Sequence, residues 1–188
     1  MDKSKWNIGR VLWLLREIIS FVIQIKGKKK YGKNETTRGV RNNNPLNIRK
    51  DPNTNWLGQV GDDGAFCVFC SLEYGFRAAF RCLRTYNKVY GIYKIEDIVR
   101  RWAPRFENDT EAYIEMVCRL TGRNREECVD VKHHYHTAIV LVRAMAKVET
   151  GCDYCYLDVL RGWELAFPDG AESVRRDMDK IDYLGILP

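Results

Sequence analysis

Glu149 occupies an unusual place for a carboxylate. Ala138, Leu141, Val142, Met145 and Val148 recur at helical spacing, and Gly151 is placed to end the helix they define, from about Tyr135 to Thr150. Glu149 follows Met145 by four residues and Val142 by seven, so it falls on the apolar face at the last turn. The negative end of the helix dipole and an apolar setting both oppose ionisation there, as a general acid near neutral pH requires. A frayed last turn that releases the carboxylate to water is the competing reading. Glu107 and Glu35 rank behind it. Glu107 has a simpler role in the loop before the next helix, and Glu35 sits in a polar stretch with no apolar helix ahead of it.

The second chemical feature is Arg38-Gly39-Val40-Arg41-Asn42-Asn43-Asn44-Pro45-Leu46-Asn47-Ile48-Arg49. Pro45 biases Asn44 away from helix, so the segment is extended or turning and presents amide side chains. An amide both donates and accepts, which suits a ligand rich in hydroxyl and N-acetyl groups, such as a glycan. The plainer reading is that these asparagines close turns on their own backbone. Asn44 and Asn47 are the candidate hydrogen-bonding residues. Trp56 and Tyr113 are candidates for contact with sugar rings, against the plainer reading that aromatics at these spacings are core residues with a satisfied polar tip. Trp102 fits the core better; Trp56, flanked by polar residues and glycine, fits a cleft.

Several classes of chemistry find no support. There is no glycine-rich phosphate loop and no Gly-x-Ser-x-Gly turn, which argues against nucleotide or serine chemistry. Seven cysteines cannot all pair internally. Cys67 and Cys70 share C-x-x-C spacing, as do Cys152 and Cys155, but the first pair reads as strand, where residues three apart face opposite ways. Reduced thiols and cytoplasmic synthesis are expected, with no metal and no cofactor. His133, His134 and His136 read as a solvated helix start.

Charge divides the chain. Residues 1–50 carry 13 Lys/Arg and 3 Asp/Glu, a net of +10, and the remainder carries a net of −4. The main body is therefore no general nucleic-acid surface. Trp6 to Ile25 is apolar but interrupted by Arg10, Arg16 and Glu17, so it reads as an amphipathic helix and not a membrane span. No small-residue cleavage site precedes Lys26-Gly27-Lys28-Lys29-Lys30, which argues against a conventional signal peptide. Docking on the domain or a partner, or anchoring at a membrane surface, would suit this segment.

The elements that must position these residues are mostly helical. Residues 45–71 read as a small β-hairpin region, with a turn at Asp62-Asp63-Gly64. Helices follow from about Glu73 to Val89, ended by Gly91, and from Ile95 to Trp102, stopped by Ala103-Pro104. Asn108 with Glu111 resembles a capping box for a helix that turns Tyr113, Val117 and Leu120 inward and ends at Gly122. A last helix spans Tyr154 to Phe167, and the tail beyond Pro168 reads as an exposed short helix.

The Arg38–Arg49 motif resembles the opening of a phage and prophage family of virion structural proteins with a lysozyme-like, peptidoglycan-cleaving domain. Further segments match it in the same order: Trp56-x-Gly58, Phe66-x-x-Phe69-x-Ser71, Tyr74-Gly75-x-Arg77-Ala78 and Arg101-Trp102-Ala103-Pro104. Glu107-Asn108-Asp109-Thr110-x-x-Tyr113-Ile114 and Ala144-Met145-x-x-Val148-Glu149-x-Gly151 complete the set. The likeness covers roughly residues 38–167. It implies a mainly α (α+β) fold, a lysozyme-like helical domain with a small β-hairpin region, preceded by the extra N-terminal amphipathic helix. The implied organisation is 1–37 helix and basic linker, 38–167 domain, and 168–188 tail. The implied activity is cleavage of peptidoglycan glycan strands, at the cell wall or from a phage particle. Val148-Glu149-Thr150-Gly151 is similar to the glutamate motif of lytic transglycosylases, which use one glutamate and the substrate's own hydroxyl. In related glucosaminidases the glutamate instead precedes the Asn-Pro-x-Asn-Ile-like segment, so Glu149 would imply a permuted arrangement. The alternative is a non-catalytic virion or wall-binding protein that keeps the fold.

Overall fold

A computed structural model describes residues 37–105 and 109–172. The expected N-terminal amphipathic helix, Glu35, Glu107, Asn108 and the end of the tail lie outside the described residues.

The chain opens with the short helix α1 (Arg38–Arg41), then loops through the asparagines into an antiparallel pair, β1 (Gln59–Asp62) and β2 (Cys67–Phe69). Gln59 pairs with Phe69 and Asp62 with Cys67, with an irregularity between Gln59 and Gly61. The helices α2 (Leu72–Tyr90), α3 (Ile95–Trp102), α4 (Thr110–Thr121), α5 (Tyr135–Thr150) and α6 (Tyr156–Ala166) follow. Among the described residues the architecture is mainly helical with one small sheet. Among the described residues no helix is long and apolar enough to cross a membrane.

Periodicity explains these helices. In α2, Phe76, Ala79, Phe80 and Leu83 are buried on one face, while Gly91, Gly122 and Gly151 close α2, α4 and α5 in the left-handed conformation. α5 buries Ala138, Ile139, Leu141, Val142, Ala144, Met145 and Ala146, which makes it the central helix. The core also takes Trp163 and Phe167 from the last helix region, and the Trp163 indole donates to the Val131 carbonyl at 2.7 Å.

Some sequence expectations are corrected. The cap of α4 is Asp109, whose carboxylate accepts from the Ala112 amide at 3.1 Å. Glu111 therefore sits one position too early for a capping box, and it pairs instead with Arg100, Arg105 and Arg125. Leu120, expected inside, is 40% exposed. The last helix starts at Tyr156 rather than Tyr154, because Tyr154 is drawn into the core, edge-on to Phe76 at 5.3 Å. Helical structure resumes at 168–172 with Pro168, Asp169 and Glu172 exposed, as a short exposed helix would be, and only Ala171 of this stretch is buried. Cys67 is buried and Cys70 exposed, on opposite sides of the strand end.

Candidate active site: a carboxylate held by two donors

The Asn-rich loop is fastened before it can present anything. Asn42 donates to the Asp63 carboxylate at 2.8 Å and its carbonyl accepts from the Phe69 amide at 2.9 Å. Asn43 donates to the Phe69 carbonyl at 3.1 Å. Asn44 is fully buried; its amide donates to the carbonyls of Ile48 and Cys67 at 3.0 and 2.9 Å, and its oxygen accepts from the Ile48 amide at 2.8 Å. Both Asn44 donors are thus consumed inside the protein, and a sugar has no access to them. The sequence expectation that Asn44 binds substrate gives way to a role in anchoring the loop.

Asn47 is different. Its backbone is left-handed, φ 49°, a conformation asparagine tolerates better than most residues. From there the side chain donates to Glu149 Oε2 at 2.9 Å, across 102 residues of sequence. Its own Oδ1 is buried and finds no hydrogen-bond partner among the described residues.

Glu149 stands in the last turn of α5, half-buried, on the face that the spacing indicated. Its second oxygen, Oε1, accepts from the Tyr113 hydroxyl at 3.1 Å. Tyr113 projects from α4 and is 7% exposed. Burial, and then the charge of Glu149, push its hydroxyl well above the ordinary tyrosine range, so it stays a neutral donor. The hydroxyl also lies 3.4 Å from the Met145 carbonyl, one helical turn before Glu149.

Three sequence-predicted residues, Asn47, Tyr113 and Glu149, are therefore brought together from a loop and two helices. Trp56 is half-buried just before β1 and packs against the core. Trp102 is also half-buried, with its ring 6.3 Å from Tyr86. Sequence reasoning missed Asp63, which ties Asn42 and Arg38 to the hairpin, and Gly39 and Gly75, which let the loop approach. A glycine inside a helical pattern was the available signal for Gly75.

The class defined by this geometry is a mainly helical α+β protein with a carboxylate clasped between a left-handed asparagine and a buried tyrosine. No established family profile matches the chain. It is 41% identical over 139 residues to Protein P5 of Pseudoalteromonas phage PM2, a match that covers 71% of this chain and 84% of that protein. The chain belongs to the family of Protein P5, which supports a phage origin.

Proposed function

We propose that the chain cleaves the glycan strands of peptidoglycan through a lysozyme-like domain in which Glu149 is the acid. The observation that carries this reading is the double hydrogen bond to Glu149 from Asn47 and Tyr113. A general acid must be held where it meets the leaving oxygen, and must be left as a stabilised carboxylate once its proton has gone. Two donors aimed at the two oxygens serve both needs. In a lytic transglycosylase reaction Glu149 protonates the glycosidic oxygen. The carboxylate then takes the proton from the sugar's own hydroxyl as that hydroxyl attacks the anomeric carbon. One carboxylate suffices, whereas hydrolysis by the common route needs a pair.

A specific observation also favours a second reading. Both Glu149 oxygens already have internal partners, as they would in a clasp that only joins α5 to α4 and the loop. A virion or wall-binding protein could use such a clasp without chemistry. Incubation of purified sacculi with the wild-type chain and with Glu149→Gln separates the two. Clearing by wild type alone supports cleavage; binding by both without soluble release would leave the structural reading.

A further inference from the structure

We propose that Gly39 is a positioning residue for the Asn47–Glu149 pair, an inference that rests on Glu149 being the acid. A β-carbon at Gly39 would stand 2.8 Å from Thr150 Cγ2, 2.9 Å from the Asn44 carbonyl oxygen and 3.1 Å from Asn47 Oδ1. Those atoms belong to the two halves of the site: the end of α5 that carries Glu149, and the loop that carries Asn47. Gly39 lies at the seam between them. Its backbone is part of α1, so alanine would meet no conformational barrier, and helix propensity alone would favour alanine by about 1 kcal/mol. Space, and not backbone freedom, is what the missing side chain supplies.

The atom beside Gly39 makes this consequential. Among the described residues Asn47 Oδ1 has no hydrogen-bond partner, so on that side the rotation of the carboxamide is limited by contact. The carboxamide is planar and rigid. A methyl group that displaces Oδ1 therefore swings Nδ2, the donor to Glu149, by a similar amount. On the other side of the loop, a β-carbon at Gly75 would overlap the Asn43 carbonyl oxygen and stand 2.8 Å from Pro45 Cδ. The loop from Asn43 to Asn47 is thus held between two positions without side chains. Its approach to α2 depends on one glycine, and its approach to Glu149 on the other.

The test uses the full chain. Gly39→Ala is expected to lower kcat on sacculi by about tenfold or more with KM little changed, since small misplacements of a catalytic group are costly. Adding Thr150→Ser removes Cγ2, keeps the hydroxyl that bonds the Ala146 carbonyl, and is expected to recover part of the rate. Should Gly39→Ala alone not fold, that double variant carries the same measurements. Ile98→Val, a buried change in α3, serves as a control that lowers stability without lowering kcat. A readout free of activity is the coupling between Asn47→Gly and Glu149→Ala in denaturant unfolding, expected to be about tenfold in the unfolding constant with Gly39 and smaller in the Gly39→Ala background. Unchanged coupling, or reduced coupling with an unchanged rate, would overturn the proposal. A wild-type chain without any lytic activity would remove the acid reading, and the coupling would still decide the role of Gly39.

Discussion

Asn47 combines two properties that mutation can separate. Its left-handed backbone would cost alanine about 1–2 kcal/mol, and its amide donates to a carboxylate, a bond worth about 1.5–3 kcal/mol. Asn47→Ala loses both, whereas Asn47→Gly loses only the amide. Unfolding in denaturant should therefore show the glycine variant to be the more stable by about 1 kcal/mol. Their lytic rates should fall alike. Equal stabilities would mean that the backbone at 47 relaxes freely. At Tyr113 the change to phenylalanine removes one hydroxyl from a buried site and leaves Glu149 Oε1 without its donor. A loss of about 1–3 kcal/mol is expected in the same measurement, with reduced lysis. Full activity in Tyr113→Phe would show that one donor is enough to hold the acid. The sequence singled these residues out but could not assign their partners. Asn47 and Tyr113 read as ligands for sugar because their common neighbour lies 102 and 36 residues away.

The elements differ in how far spacing alone reveals them. The bounds of α3 and α5 agree with the sequence reading, because Ala103-Pro104 and Gly151 punctuate strong apolar patterns. The Asn-rich loop was opaque for the opposite reason. Its shape is decided by the hairpin: Asn42, Asn43 and Asn44 bond to Asp63, Phe69 and Cys67, 21 to 26 residues away. Among the side-chain hydrogen bonds of these asparagines, local turn chemistry accounts only for the Asn44–Ile48 contacts. Asn44→Ala should strand buried groups on Ile48 and Cys67 and cost about 3 kcal/mol or more. Asn44→Asp should not rescue it, since a carboxylate cannot donate to the two carbonyls. Near-wild-type unfolding midpoints for either would show that the loop is held by other contacts.

Across the molecule, charge organises the side that carries α3 and α4. Glu111 accepts from Arg100, Arg105 and Arg125, while Glu96 accepts from Arg100 and Arg125. The hydrogen bonds from Arg105, Arg125 and Arg100, in that order, hold the Glu111 carboxyl at about 2, below its ordinary 4.5. A carboxyl depressed on folding adds stability above its unfolded value and loses it as the pH falls through the folded value. The thermal midpoint should therefore drop between pH 4.5 and about 2, less steeply in Glu111→Gln, and added salt should blunt the difference. Identical profiles for the two proteins would remove the cluster from the account. Since this network packs α3 against α4, it also supports the helix from which Tyr113 reaches Glu149.

The most direct test of a single-glutamate lytic mechanism is mass spectrometry of the soluble products released from purified sacculi by wild-type protein and by folded Glu149→Gln. Anhydro-sugar muropeptides from wild type, and none from the variant, are the predicted result. Equal release from both would contradict the assignment of the acid, and no release from either would contradict cleavage itself.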